Sequence, residues 1–398
     1  MELNKQFDQI HQSPTVAIAD QVLALKASGR KIIPLQVGDP DFATPPAVIN
    51  AAVRAIREGF THYGPSRGYP DLRLAIASRL ARRSNISIKG ALPYNPEREI
   101  LVTHGGVHAY YLAMQSILNP DDEVMIPDPS WATHSNMVKL LRGSVVHIPA
   151  LIENNFIPRI EAWENALTRR TRAIVINYPA NPTGVYPSRQ YFQQLLDFAR
   201  ENDLWVVSDE VYDNLYFNEM PVSAGAFPKA KDRTILVNSL SKTYAMTGWR
   251  VGYLAAPSQV IDNALKAGQN SITCVAPFVQ KAAAFALSDE DVQTVAAEMR
   301  AAYAHRREIV MQVYREHEGS PVGVVPPMGA FYFFLDFRAL KMTSQKICEQ
   351  ILNEKGVGLI PGSAFGEQGE GFVRMTIAAS DSDVEAGISS ILEWAGKR

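Results

Sequence analysis

Seven short apolar runs constrain this chain more than any other feature. They are Glu99–Thr103 (EILVT), Glu123–Pro127 (EVMIP), Ser144–Ile148 (SVVHI), Arg172–Asn177 (RAIVIN), Leu204–Asp209 (LWVVSD), Thr234–Asn238 (TILVN) and Val251–Ala255 (VGYLA). Each is rich in Val, Ile or Leu, is bounded by turn residues and lacks strict polar alternation. A strand with one wet face alternates polar and apolar residues. A strand covered on both faces does not, and such strands belong to parallel sheets flanked by helices. Helical stretches lie between the runs. Val107–Leu118 follows a Gly-Gly pair, and Ser188–Glu201 carries Tyr191, Leu195 and Phe198 on one side. The β-α-β rhythm predicts an α/β fold: a mostly parallel, seven-stranded sheet between helices.

Near residue 285 the texture changes. Asp289–His317 reads as one long helix, and Pro/Gly turns then separate two short apolar runs, one of them Ala330–Asp336 (AFYFFLD). At roughly 150 residues per domain, 398 residues imply two or three units. The expected division is an N-terminal segment, 1–45, packing with a small domain; a large domain, 46–285; and a small C-terminal α+β domain, 286–398.

Composition removes several function classes. A formal net charge of −2 gives no footprint for nucleic acid or an acidic membrane. Cys274 and Cys348 stand far apart and outside any CxxC pattern, which excludes a cysteine zinc site or a disulfide scaffold and fits a reducing cytoplasm. No metal site is expected. No apolar run reaches the ~18 residues of a membrane span, and MELNKQFDQI does not read as a signal peptide.

The chemistry gathers in three segments, each ambiguous alone. In Ser239-Leu-Ser241-Lys242, with Arg250 downstream, a lysine after a strand is ordinarily a solvated connection residue. Two hydroxyls and a guanidinium, however, make a phosphate cradle, and a lysine beside one can form a Schiff base with pyridoxal phosphate. Asp209 ends a buried strand, with Tyr212 three residues on. It suits a helix N-cap, and equally the anion that keeps a pyridinium nitrogen protonated. Asn181, in NYPANPTG, sits among turn signals, or aims its amide into the crevice beyond the strand ends.

Together, and in this order, the segments resemble the fold-type I pyridoxal-phosphate enzymes, and more narrowly the class I/II aminotransferases of the aspartate aminotransferase superfamily. The resemblance runs from VGDPDFATP and HYGPSRGYPDLR through VTHGGVHA, DPSW, NYPANPTG, SDEVY and SLSKTYAMTGWRVGY to GAFYFF, IPGSAFG and VRMTIAAS. It implies pyridoxal 5′-phosphate as cofactor, with Lys242 as the lysine of the internal aldimine and the proton shuttle. Asp209 is implied to pair with the ring nitrogen, Tyr212 and Asn181 to bond the ring oxygen, and Trp131 to stack on the ring. Gly105, Gly106 and Val107 open a helix whose N–H groups hold the phosphate, with Ser239, Ser241 and Arg250 completing the cup. Tyr63 matches a tyrosine that reaches the phosphate from a second subunit, which implies a homodimer with shared sites. Arg374 matches the arginine that grips the substrate α-carboxylate, and Gly38 a loop that closes over it. Asp128-Pro129 and Asn181-Pro182 match two cis peptides. His104, His108 and His134 read as satisfied polar residues, the last two placed to line the pocket.

The implied activity is transfer of an amino group from an L-amino acid to a 2-oxo acid by a ping-pong route, within cytoplasmic amino-acid metabolism or biosynthesis. Val107 occupies the position where one subgroup carries a lysine for a side-chain carboxylate. A neutral, apolar or aromatic donor is therefore expected at least as much as aspartate, with 2-oxoglutarate or pyruvate as acceptor. A C–S lyase, a synthase or an amino-acid oxidase would keep the same motifs. A non-enzymatic pyridoxal-phosphate sensor would need a DNA-binding extension, for which the N-terminal segment is short.

Overall fold

The computed structural model describes residues 3, 5–10, 14–84 and 92–398. Residues 1, 2, 4 and 11–13 of the expected N-terminal segment lie outside that set. After a two-residue strand, β1 (Ile33–Pro34), all seven apolar runs appear as strands. They are β2 (Ile100–Thr103), β3 (Glu123–Asp128), β4 (Ser144–Pro149), β5 (Thr171–Asn177), β6 (Trp205–Asp209), β7 (Thr234–Ser239) and β8 (Gly252–Ala255). They form one sheet in the order β2-β8-β7-β6-β5-β3-β4. Every pairing from β4 to β7 is parallel, and β8 runs antiparallel to both its neighbours.

Successive side chains of a strand point to opposite faces, so a sheet covered on both sides feeds two cores. In β5, Ala173 and Val175 join one apolar cluster while Ile174 and Ile176 join another. The helices, in chain order, are α1 (Pro14–Ala27), α2 (Pro46–Arg57), α3 (Pro70–Ser84), α4 (Gly105–Ile117), α5 (Ala132–Leu140), α6 (Ile160–Ala166), α7 (Arg189–Glu201), α8 (Ser258–Ser271), α9 (Pro277–Ser288), α10 (Glu290–Glu316), α11 (Ser344–Lys355) and α12 (Asp381–Ala395). Residues of α4, α5 and α8 fill the first cluster, and residues of α2, α3, α7 and α9 fill the second. Helix starts follow side-chain caps: Ser188 accepts from Tyr191 N, and Asp289 accepts from Val292 N at 3.0 Å. Among the described residues no helix is long and apolar enough to cross a membrane.

The remaining strands are β9 (Gly323–Val324), β10 (Tyr332–Asp336), β11 (Val357–Gly358), β12 (Ile360–Pro361) and β13 (Phe372–Thr376). Four of them make an antiparallel sheet, β12-β13-β10-β9, while β11 pairs in parallel with β1. The chain after β1 is held there too, since Thr376 N donates to Leu35 O at 2.9 Å. Further back, Gln6 reaches the carbonyl of Lys139 at the end of α5, so this part of the N-terminal segment touches the larger sheet's helices.

One buried ion cluster ties α3 to the sheet. Asp213, just past β6, takes both Nη atoms of Arg79 at 2.7 and 2.8 Å, lies 3.3 Å from Arg83 Nε, and accepts from Asn238 Nδ2 at 3.0 Å. Burial pushes the Asp213 carboxyl upward, but Arg79 and Arg83 outweigh it and hold the group below the usual range. Removing the anion leaves two guanidinium groups buried without a counter-charge. Asp213→Ala is expected to cost about 3–5 kcal/mol of folding stability, the usual range for breaking a buried pair. Urea unfolding of the cofactor-free protein measures it, and a loss below about 1 kcal/mol would show that the cluster does not clamp the helix.

Candidate functional site

Parallel pairing places Asn177 opposite Asp209, and Asp209 opposite Val237, two residues before Ser239. The strands from β5 to β7 therefore end at one level. The chain runs outward from β3 to β4 and then back through β5 to β7, so sheet order reverses between β3 and β5. Open α/β sheets bind ligands beyond the strand ends at such a switch. A cavity of about 370 Å³ lies there.

At one end of the cavity is an anion cup. Gly105 has φ +77°, and a Cβ on it would come within 2.7 Å of Arg250 Nη2. A Cβ on Gly252 would meet Asn238 O and Gly105 C at 2.7 Å, so the turn before α4 lies flush on β8. His104, the residue before α4, makes no side-chain cap. The first-turn N–H groups of α4 are thus unspent, and Gly106 and Val107 line the cavity. Ser239 Oγ lies 2.8 Å from Ser241 Oγ and accepts from Ser241 N at 3.1 Å. Arg250, with φ +55°, donates from Nη1 to Thr247 O at 2.7 Å and from Nη2 to His104 O at 3.5 Å. Unspent N–H groups, two hydroxyls and a guanidinium fit a phosphate dianion.

At the strand ends themselves, Asp209 is buried with both oxygens bonded. Oδ1 accepts from Val211 N at 3.1 Å, and Oδ2 lies 3.0 Å from His134 Nε2. His134 is itself buried, edge-on to Tyr110 and Trp131. The Lys242 amine donates to Gly38 O at 2.6 Å. Burial pulls its pKa down to about 8; Arg374 and Arg250 push the same way and Asp39 opposes them. The Tyr212 hydroxyl is 2.9 Å from that of Tyr332, and burial raises the Tyr212 phenol well above its ordinary range. It therefore keeps its proton.

At the other end Arg374 sits on β13, opposite Phe334 of β10 and Ile360 of β12. Nη1 donates to Asn181 Oδ1 and Nη2 to Gln36 O, both at 2.9 Å, while Nε has no partner among the described residues. The guanidinium faces the Tyr332 ring at 4.3 Å and Phe365 at 5.0 Å. Burial lowers its pKa, yet a guanidinium remains charged at any working pH. No carboxylate among the described residues lies within ion-pair distance, so this buried cation calls for a carboxylate brought from outside.

The cavity gathers Gly38, Gly106, Val107, Trp131, Asn181, Asp209, Tyr212, Ser239, Ser241, Lys242, Arg250 and Arg374. Gly105 stands just behind the lining. Tyr63 is 88% exposed and does not line the cavity. Asn181 turns its oxygen to Arg374, which leaves its amide N–H₂ as the group free to donate. The expectation that His108 and His134 line the pocket needs correction. His134 backs Asp209 from behind, and His108 accepts from His104 N in the first turns of α4. Sequence reasoning missed the His134–Asp209 contact, although His134 lies three residues after Trp131 and so on its helix face. It also missed Gln36, Asn177 and Tyr332, and the last carries no signal within FYFF. Asp128-Pro129 and Asn181-Pro182 are cis, as is Tyr178-Pro179. A phosphate cup, a buried anion and a low-pKa amine together fit pyridoxal phosphate: an anchor for its phosphate, a partner for its ring nitrogen and a nucleophile for its aldehyde.

The sequence profile of the family "Aminotransferase class I and II" matches residues 30–391. An aspartate aminotransferase of Pyrococcus abyssi is 37% identical over 386 residues, 97% of this chain and 96% of that protein. Aromatic-amino-acid aminotransferase 2 of Thermococcus litoralis is 34% identical, again over 97% of this chain and 96% of its own length. The solved structure of aspartate aminotransferase from Thermus thermophilus with maleate superposes with a TM-score of 0.92 at 33% identity, covering 99% of both chains.

With a pKa near 8, about a tenth of the Lys242 amine is neutral at pH 7, against less than a thousandth for an ordinary lysine. Acylation of the cofactor-free protein, followed residue by residue by mass spectrometry, is expected to show Lys242 reaching half its maximal rate near pH 8. A profile that follows the surface lysines would refute the depressed pKa.

Proposed function

The chain belongs to the class I and II aminotransferases, a pyridoxal-phosphate-dependent family, and we propose that the cavity beyond β5–β7 is where it moves an amino group from an L-amino acid to a 2-oxo acid. The observation that carries this reading is a pair of cations facing one space: buried Arg374, with no carboxylate partner among the described residues, and half-buried Lys242, whose pKa is pulled down to about 8.

When bound, the cofactor supplies an aldehyde for the amine and a protonated ring that draws electrons from the substrate's α-carbon. The residues then divide the work. Gly105, Gly106 and Val107, through the start of α4, hold the phosphate with Ser239, Ser241 and Arg250. Asp209 would keep the proton on the ring nitrogen, and His134 holds that carboxylate in place. Tyr212 and the Asn181 amide would donate to the ring oxygen, and Trp131 would cover the ring. Arg374 binds the α-carboxylate through charge-assisted bonds and so fixes which bond at the α-carbon faces Lys242. The Lys242 amine takes the proton from that carbon and returns it during transfer. Gly38 closes the substrate side. Since donor and acceptor use the same groups in turn, the kinetics are ping-pong.

The side-chain end favours a neutral apolar or aromatic donor, with 2-oxoglutarate or pyruvate as acceptor. The cations lining the cavity are Lys242, Arg250 and Arg374, and each already has a task. Val37, Val107, Val211, Trp131 and Tyr332 add apolar and aromatic surface to the lining. Relatives named for aspartate and for aromatic amino acids bracket this choice.

The assembly we propose is a homodimer. The helix α2 buries Val48, Ala51, Ala52 and Ala55 inward, yet also carries part-exposed Ile49, Val53 and Ile56 at helical spacing. A helix apolar on both sides calls for a cover on each. Tyr63, a few residues on, is the position that the family resemblance assigns to a shared site. A second copy covering this face explains both. Light-scattering at assay concentration should return twice the chain mass of 44.0 kDa; a fully active monomer would sink the dimer.

An amino-donor panel, read as the absorbance change of the bound cofactor in single half-reactions, tests the activity and its specificity together. Apolar or aromatic donors are expected to outrun aspartate, and Val107→Lys to shift kcat/KM toward aspartate. Arg374→Ala is expected to cost about 3–5 kcal/mol in kcat/KM with every donor, because each brings an α-carboxylate. A wild type that strongly prefers aspartate would overturn the specificity reading, and a loss confined to one donor would overturn the role of Arg374.

A further inference from the structure

A helix that begins beneath an anion site faces a conflict. Its first N–H groups need partners, and the common N-cap residues (Ser, Thr, Asp, Asn) supply one by turning a side-chain oxygen onto the N–H two or three positions on. At α4 those positions are Gly106 and Val107, the N–H groups that face the cup. A conventional cap would take donors that the phosphate needs.

The chain before α4 is anchored differently. His104 donates its backbone N–H to Nδ1 of His108 at 3.2 Å, one turn into the helix. This is one arm of a capping box, in which a side chain reaches back to the N-cap N–H, without the arm that would spend a first-turn N–H. The His104 ring turns away from the cup, and its Nε2 lies 3.1 Å from Cys274 O in the segment after α8. Its carbonyl accepts from Arg250 Nη2. The peptide N–H, the carbonyl and the ring of His104 are thus each held, and none of the holds uses Gly106 or Val107.

The state of His108 follows from the bond it makes. A backbone N–H can only donate, so Nδ1 carries the lone pair and Nε2 the proton. That Nε2 is buried and has no partner among the described residues. An unsatisfied buried N–H costs stability that an apolar side chain would not, so the imidazole is kept at some expense. Burial, with His104 adding to it, pulls the His108 pKa down to about 4, and the ring stays neutral at ordinary pH.

We propose that His108 and His104 are positioning residues for the cofactor phosphate: they brace the Gly105-Gly106 turn from outside the cup and leave its N–H donors to the ligand. The proposal rests on the cup being the phosphate site. Equilibrium binding of pyridoxal 5′-phosphate and of unphosphorylated pyridoxal to the cofactor-free protein, followed by fluorescence, tests both and tells them apart. Wild type should strongly prefer the phosphorylated ligand; if it does not, the cup assignment falls, and this proposal with it. His108→Leu should weaken the phosphorylated ligand about tenfold, on the order of one lost hydrogen bond, and leave pyridoxal within about twofold. His108→Asn places an acceptor at the same δ position and should restore most of the affinity. His108→Gln places it one bond too far and should not. Phosphorus-31 NMR of the bound cofactor should report an altered phosphate environment in the Leu and Gln variants alone. Equal losses for both ligands, or no difference between Asn and Leu, would reduce His108 to a packing residue and overturn the proposal. If the Leu variant does not fold, the comparison of Asn with Gln decides the matter on the same terms.

Discussion

Parallel pairing across β3, β5, β6 and β7 is the constraint on which the rest of the structure depends. Parallel ladders bring strand ends to a common edge, and here the residues at that edge are polar: Asp128, Asn177, Asp209 and Ser239. Each strand is apolar through its middle and polar in its last one or two positions, so the polar ends are carried by a buried frame with little freedom to shift. A slip of one residue in β6 would turn Asp209 to the other face and drive Val207 into the wrong core. The apolar clusters above and below the sheet therefore hold the register that aims the chemistry.

Electrostatics then shapes what the frame can hold. Three cations, Lys242, Arg250 and Arg374, surround a cavity with one lining carboxylate, Asp209, which is already bonded to His134 and Val211. Burial in this dry space disfavours the charged amine, and crowding by Arg374 and Arg250 adds to it: the lysine gives up part of its affinity for a proton, while a guanidinium stays charged. The same crowding draws anions into the cavity, at the cup and at Arg374. One arrangement thus loosens the amine's hold on its proton and favours anions in the same space.

The large sheet was legible because burial on both faces leaves a plain mark, a run of Val, Ile and Leu without alternation. Its strands appear within one or two residues of the expected bounds. The reversed direction of β8 was not legible, since a four-residue apolar run carries no sign of its polarity. Nor were β1 and β11, which are two residues long and exist through each other. In the site, residues set at strand ends by local sequence, such as Asp209 and Lys242, could be read directly or through the family motifs. Contacts made across the fold could not. His134 meets Asp209 over 75 positions, and Arg374 meets Asn181 over 193. The expectation that His108 lines the pocket failed for a related reason: its ring turns back along the chain to the His104 N–H.

Residues 36–38 bridge Arg374 and Lys242. The carbonyl of Gln36 accepts a hydrogen bond from Arg374, and two residues later that of Gly38 accepts one from Lys242. The backbone before them is fastened at β1 and at Leu35. One short run of backbone therefore supports both the guanidinium and the amine, through peptide carbonyls alone and with no side chain as intermediary.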